Sequence, residues 1–198
     1  MQQYFTRHPA ASSRPRIVHA TLRGRDWTFM TDRGVFSHAG IDAGTRLLAE
    51  TMDLRASDEV LDLGCGYGVL GLVAAPLVPA GRVVMVDVNE RATTLAKENA
   101  RAAALTNVEV LQGDGTAPVA DRRFDVALSN PPIRAGKATV RRLMREVHDC
   151  LRPGGRFYFV ARTAQGAKTL ARDLSAIFDT VEEIERGGGY RVYLAARK

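Results

Sequence analysis

The chain has 198 residues, 45% of them apolar, and a net charge of +6, which allows one sizeable core and a single domain. Its longest nearly unbroken apolar run, Val69 to Val78, has ten residues and contains Pro76, far short of the roughly 20 that a membrane helix needs, and Gln2 to Arg16 is polar and basic with no apolar stretch of a secretory signal. Cys65 and Cys150 are too few for a disulfide framework, and four scattered histidines show no ligand spacing, so a cytoplasmic protein without a metal is expected.

Residues 1–15 read as a flexible arm. Ile17 to Leu22 and Trp27 to Thr31, joined across Arg23-Gly24-Arg25-Asp26, read as a β-hairpin. From Asp42, apolar Leu47, Leu48 and Met52 predict a short helix with Thr45 in its first turn. Strands and helices then alternate: strand Glu59–Leu63, helix Val69–Leu77, strand Arg82–Asp87, helix Glu90–Ala104, and strands Val108–Leu111 and Phe124–Ser129. A helix over Thr139–Leu151 puts Val140, Leu143, Met144, Val147 and Leu151 on one face and Arg141, Arg142 and Arg145 largely on the other. Pro153-Gly154-Gly155 reads as a turn, Phe157 to Ala161 as a buried strand and Ala164 to Ile177 as a helix. Val181–Ile184 and Arg191–Ala195, across Gly187-Gly188-Gly189, close the chain as strands. Alternation of this kind means an α/β fold, a doubly wound, mostly parallel sheet of seven strands covered on both faces. The last two strands, so close in sequence, must pair antiparallel. Residues 1–40 then form an N-terminal arm and hairpin packed on a main domain of residues 41–198.

In such a sheet ligands bind beyond the carboxyl ends of the strands, where strand order reverses, and several segments should meet there. The first is Asp62-Leu63-Gly64-Cys65-Gly66-Tyr67-Gly68, whose glycines let the backbone turn and approach a ligand. A glycine-rich turn after a strand also serves dinucleotides, but the Gly-x-Gly-x-Gly spacing is closer to a loop that cradles the methionine part of S-adenosylmethionine (SAM). Asp62 is placed to orient the cationic amino group. Cys65 is a small loop residue with no neighbouring base to make it a nucleophile. The second segment is Asp87-Val88-Asn89. Asp87, at the end of a strand, suits the two ribose hydroxyls, its alternative being a cap for the following helix, a role that fits Asn89 better. The third is Gly113-Asp114-Gly115, where an acid can accept from the adenine amino group or simply serve a turn.

Leu128-Ser129-Asn130-Pro131-Pro132-Ile133 is the most telling stretch. An exocyclic amine conjugated to a ring is a poor nucleophile because its lone pair is delocalised. Acceptors on both of its N–H bonds favour the geometry that frees that lone pair. Asn130 supplies a side-chain carbonyl and Pro131 a backbone carbonyl, while successive prolines stiffen the turn. Preorganised acceptors of this kind speed transfer. A SAM-dependent N-methyltransferase is expected, with no metal or covalent intermediate.

Several segments together resemble the class I methyltransferases that act on guanine N2 near position 1207 of bacterial 16S ribosomal RNA. They are Gly34-Val35-Phe36-Ser37, Asp42-Ala43-Gly44-Thr45, the glycine loop, Val86-Asp87-Val88-Asn89, Asn130-Pro131-Pro132-Ile133 with Gly136-Lys137, and Leu151-Arg152-Pro153-Gly154-Gly155. The resemblance implies that Asn130, Pro131 and Pro132 hold the target amine, that Asp87 takes the ribose and that Asp114 takes the adenine end. It puts Thr45 near the methionine carboxylate and Phe36 near the target base, core packing being the alternative for Phe36. Two departures stand out. Ile133 replaces the ring that often stacks on the target base, which leaves Phe36 or Trp27 as the platform. Larger members of the group also carry an additional N-terminal domain of similar fold.

Charge bears on the partner. Between Arg134 and Arg172 there are ten Lys/Arg against two acids, and residues 1–33 carry six arginines against two acids. Arg134, the arginines of the 139–151 helix (Arg141, Arg142 and Arg145) and the arm are therefore expected to grip phosphates of ribosomal RNA or of the small subunit, the bland reading of these charges being a solvated face. A glutamine-N5 protein methyltransferase is the alternative, and a non-catalytic RNA-binding or ribosome-assembly module is a third reading. Monomer and weak dimer both remain open.

Overall fold

The computed structural model describes residues 6–8 and 11–198. The expected arm falls partly outside them, at 1–5, 9 and 10. What is described of it lies against the body of the protein: the carbonyl of Arg7 accepts from Glu90 N, the guanidinium of Arg91 donates to Ala11 O, and Ser13 donates to Asp32 at 2.7 Å.

Strands β1 (Arg16–Leu22) and β2 (Arg25–Thr31) form the predicted hairpin, each one residue or two longer than expected at its start. The two-residue turn puts Arg23 and Gly24 at φ 53° and 71°, the twist that a tight hairpin requires. Arg23 is held in this unusual conformation by bonds to Glu50 and to the carbonyls of Glu50 and Met52. Trp27, Phe29 and Thr31 alternate inward. The hairpin stays outside the main sheet, and the amide of Asn99 finishes its edge by accepting from Met30 N and donating to Met30 O.

The main sheet contains β3 (Glu59–Leu63), β4 (Arg82–Asp87), β5 (Val108–Gln112), β6 (Phe124–Ser129), β7 (Leu151–Arg162), β8 (Thr180–Gly187) and β9 (Tyr190–Ala196). Their order is β5-β4-β3-β6-β7-β9-β8. The first five run parallel, and β9 enters antiparallel to both of its neighbours. Helices α1 (Ala43–Thr51), α2 (Val69–Ala74) and α3 (Glu90–Ala102) cover one face, while α4 (Lys137–Cys150) and α5 (Ala167–Leu174) cover the other. Successive strand residues divide between the two layers, Val60 and Met85 packing with the first and Leu61 and Val84 with the second, as the pleat dictates.

Several boundaries differ from the sequence reading, and two of the differences have plain local causes. The helix from Val69 gives way to a 3-10 turn over Ala75–Leu77 at Pro76, and α5 starts at Ala167, after a 3-10 turn and the left-handed Gly166. The expected Pro153-Gly154-Gly155 turn is instead a bulge within β7. Phe124 of β6 faces Leu151, but Val126 already faces Arg156. The extra backbone bonds to the chain's C-terminal end, Gly154 N to Arg197 O and Arg197 N to Gly155 O. Among the described residues no helix is long and apolar enough to cross a membrane, and no cluster of metal-ligating side chains exists.

Candidate active site

Strand order reverses between β3 and β6: from β3 the chain winds outward through β4 and β5, then returns to β6 and winds the other way. A cavity of about 480 Å³ opens above the carboxyl ends of these strands. It draws residues from the glycine loop, from the ends of β4, β5 and β6, from residues 34–38 and from the β8–β9 hairpin. A small adjoining hollow is lined by Thr45, Cys65, Tyr67 and Asn130.

The glycine loop is built as its spacing required. Gly64, Gly66 and Gly68 have φ of 73°, 57° and 99°, values that side chains disfavour. The amides of Gly64 and Cys65 bond to Val86 O, tying the loop to β4. Gly64 and Gly66 line the cavity, whereas Gly68 turns inward to cap α2 against Leu72 and Ala96. Cys65 is buried, and burial together with Asp87 and Asp62 pushes its thiol well up, so it stays protonated and inert. Tyr67 is a core residue, its ring edge-on to Phe29 and its hydroxyl donating to Gly40 O.

Asp87 stands on the cavity wall. Its carboxylate accepts from Gly66 N and Asn89 N, both at 2.8 Å. Desolvation pushes its carboxyl up to about 6, against backbone N–H bonds from Asn89, Gly66 and Val88 that lower it. Val88 also lines the cavity. Asn89 does not: it caps α3 by accepting from Arg91 N and Ala92 N, and its amide donates to Gly34 O. That removes it from the expected cofactor contacts and makes it the anchor of the Gly34–Phe36 segment.

Asp62 is a correction. It is 0% exposed, lies beneath the loop rather than on the cavity wall, and accepts from Gly71 N at 2.8 Å while its other oxygen has no partner. It does not line the cavity and instead pins α2 under the loop. Desolvation pushes its carboxyl up to about 7, with the Gly71 bond lowering it and Asp87 raising it. Since this folded value lies above the unfolded one, ionisation opposes folding. The contribution is favourable at low pH and is lost as pH rises through about 7. Asp62→Asn is expected to flatten the fall in melting temperature between about pH 4 and 7. An unchanged slope in thermal melts of the two proteins would contradict this.

Gly113, Asp114 and Gly115 line the other end of the cavity. Asp114 is paired with Arg142 at 2.8 Å, and Arg142 also bonds Glu146 at 2.6 Å. The sequence places Arg142 on the helix face expected to grip phosphates. In the structure it holds the loop after β5 against α4. Arg141 pairs with Asp173 at 2.9 Å and lies outside the main cavity. Arg134 and Arg162 do line it, at the exposed rim. Trp27 is no platform for a ligand, being 5% exposed, stacked on Phe29 and bonded through its indole N–H to Leu22 O. Phe36 and Tyr190 supply the aromatic faces of the cavity.

The corner at the end of β6 is the most constrained. Ser129 donates to Leu63 O, locking β6 to β3. Pro132, at φ −77° and ψ 76°, centres an inverse γ-turn in which Ile133 N bonds Pro131 O at 2.8 Å. The Pro131 carbonyl, expected to be free for a ligand, therefore has one lone pair engaged and one remaining. The side-chain amide of Asn130 donates to Asp42 Oδ2 at 3.0 Å and to Thr45 Oγ1 at 2.9 Å. Asp42, the N-cap of α1, also accepts from Thr45 N and, at 2.7 Å, from the Tyr190 hydroxyl. A carboxylate only accepts, so the amide can sit one way round, with both N–H bonds spent and Oδ1 left for the cavity that Asn130 lines. Thr45 thus serves Asn130. Sequence reasoning gave no site role to Asp42, met there only within the Asp42-Ala43-Gly44-Thr45 segment, or to Tyr190; the structure brings both to this corner. Gly44 completes the corner, because a Cβ there would strike the Tyr190 ring.

Residues 26–194 match the family model of the methyltransferase small domain. Over 198 residues the chain is 35% identical to the uncharacterized protein YbxB of Bacillus subtilis (strain 168), covering 99% of this chain and 98% of that one. It is similar in structure to the T. thermophilus 16S rRNA N2 G1207 methyltransferase RsmC in complex with AdoMet and guanosine, with a TM-score of 0.83 and 27% identity over 96% of this chain. It spans about half, 52%, of that protein. TrmN from Thermus thermophilus is similar at TM-score 0.62 and 26% identity, covering 78% of this chain and 48% of that one.

Proposed function

The chain belongs to the methyltransferase small domain family, and from that premise we propose that it transfers the methyl group of SAM to the exocyclic N2 amine of a guanine in 16S ribosomal RNA. The observation that carries this reading is the fixed amide of Asn130, whose carbonyl is presented as an acceptor to whatever enters the cavity. A planar NH₂ group is the complement of such a corner. RsmC, named for guanine N2 and bound to guanosine, supports guanine as the carrier of that group.

The cavity suits the cofactor. A Cβ on Gly64 or Gly66 would meet nothing within 4 Å, so a ligand can lie directly on the loop backbone. Asp87 is assigned to the ribose hydroxyls, Val88 and Gly113 to Gly115 to the adenine end, and the small hollow beside Cys65 and Tyr67 to the methionine end. When bound, SAM supplies a methyl group on a sulfonium, which an amine lone pair takes in one displacement that leaves the sulfur neutral.

The chain's own part is to hold the acceptor. Asn130 Oδ1 and the remaining lone pair of Pro131 O accept the two N–H bonds of the target amine, turning its lone pair away from the ring. The methylated amine then loses its proton to solvent, so no strong base is needed. With Ile133 unable to stack, Phe36 and Tyr190 take the platform role. The guanine must be unpaired or flipped to reach them. Arg134 and Arg162 at the rim suit the phosphates around it.

Asp42→Asn is expected to lower single-turnover transfer about ten- to a hundredfold, the cost of a small misorientation at a reacting group. SAM affinity should stay within a few-fold. Asn caps a helix as well as Asp, but its own amide no longer dictates which way round Asn130 sits. Full transfer activity in this variant would remove Asp42 from the mechanism.

The reading is tested by transfer from radiolabelled SAM to 30S subunits, 50S subunits and naked ribosomal RNA from a strain lacking the protein, followed by nucleoside analysis. N2-methylguanosine in 16S RNA is the expected product. Label that survives RNase but not protease would point instead to a glutamine side chain. RNA binding with no SAM binding would point to a non-catalytic module.

A further inference from the structure

A second hollow, of about 130 Å³, opens beside the methyl-transfer corner between α4 and α5. Ile133 and Gln165 line both it and the main cavity, so the isoleucine that stands in place of a stacking ring is the partition between two adjoining spaces. Ile133, Val140 and Leu170 give the hollow an apolar floor, and its rim is polar: Lys137, Gln165 and the Arg141–Asp173 ion pair. Lys137 is exposed, as is Arg134 on the other side of the partition, and neither makes an ion pair among the described residues.

We propose that this hollow is a subsite for the nucleotide next to the target guanine. The inference rests on the RNA reading above, because a target base in RNA arrives with a neighbour covalently attached. The neighbour's base lies on Ile133, Val140 and Leu170. The phosphate joining the two nucleotides passes the partition, where Arg134 faces the main cavity and Lys137 the hollow. The Arg141–Asp173 pair offers a donor and an acceptor to the edge of that base. Arg141 thereby contributes to RNA recognition through a base edge rather than through a phosphate. At 130 Å³ against 480 Å³, the hollow has room for one ring system and not for a second cofactor.

The test compares guanosine with single-stranded pentaribonucleotides bearing one central guanine, using SAM and the intact chain. Wild type, Thr169→Trp, which fills the hollow from α5, and Lys137→Ala are measured side by side. The pentanucleotides are expected to exceed guanosine in kcat/KM by about tenfold or more, the size of effect that one base contact brings. Thr169→Trp should erase that advantage while guanosine methylation and SAM binding stay at wild-type levels. Lys137→Ala should reduce it several-fold and weaken its dependence on salt. Equal kcat/KM for guanosine and pentanucleotides overturns the subsite, and so does an advantage that survives in both variants. Methylation of none of these and of no ribosomal RNA, with SAM still bound, overturns the RNA reading itself and the subsite with it.

Discussion

Asn130→Ala is expected to reduce methyl transfer by roughly a hundred- to a thousandfold, the usual cost of losing one preorganised hydrogen-bonding group at a reacting centre, with SAM affinity within a few-fold of wild type. The separation follows from geometry. The amide of Asn130 is held by Asp42 and Thr45, two groups of α1 and its cap; the side chain borders the small hollow beside Cys65 and Tyr67 but is bonded neither to the glycine loop nor to Asp87. Its removal leaves a gap at the end of β6, but Ser129 still locks that strand to β3 through Leu63 O, and the prolines still form their turn. Asn130→Asp makes a sharper probe. A carboxylate there would face Asp42 at the distance of the present 3.0 Å bond, so repulsion would turn the side chain, and transfer should fall at least as far as in the alanine variant. Single-turnover transfer and equilibrium SAM titration on the same preparations check both. Equal losses of transfer and SAM affinity would make Asn130 a cofactor or scaffold residue.

The parts of this molecule that were legible in the sequence are those set by short-range pattern. Buried parallel strands such as Val83–Val86 and the amphipathic face of α4 follow from the spacing of apolar residues. The glycine loop, Asp87 and the Asn-Pro-Pro turn each stand at a strand's end, so the topology alone brings them to one cavity. What stayed hidden depends on partners far apart in the chain. Asn130 meets Asp42 across 88 residues, and Tyr190 meets Asp42 across 148; no periodicity links them. Arg141 and Arg142 look alike on a helix, yet one pairs with Asp173 of α5 and the other with Asp114 beside the cavity. Trp27 reads as an available aromatic until Phe29 and Leu22 are seen to enclose it. Pro153-Gly154-Gly155 has the composition of a turn and becomes a bulge because Arg197 comes back to bond its backbone.

Asp87→Ala is expected to do the reverse of Asn130→Ala and to weaken SAM binding first, by roughly a hundredfold, in line with the about 1.5–3 kcal/mol that a hydrogen bond to a charged group contributes. Two ribose hydroxyls are assigned to this carboxylate, and each loses its acceptor. Gly66 N and Asn89 N lose theirs as well, so part of the loss comes through the glycine loop; Asp87→Asn, which keeps an acceptor for one of them, separates the two contributions and should fall between wild type and alanine. The pH dependence supplies an independent check. Desolvation has pushed the Asp87 carboxyl up to about 6. Hydroxyl donors bind the ionised form best, so ligand and proton compete for the same oxygens. SAM affinity is therefore expected to be level above pH 7 and to fall as pH drops through about 6, approaching a tenfold loss per pH unit where a single proton competes. Asp62 titrates nearby, but Asp62→Asn should leave this acid limb in place, since Asp62 does not reach the cavity. In Asp87→Asn the limb should disappear. A SAM affinity that declines identically with pH in wild type and Asp87→Asn would take the ribose assignment away from Asp87.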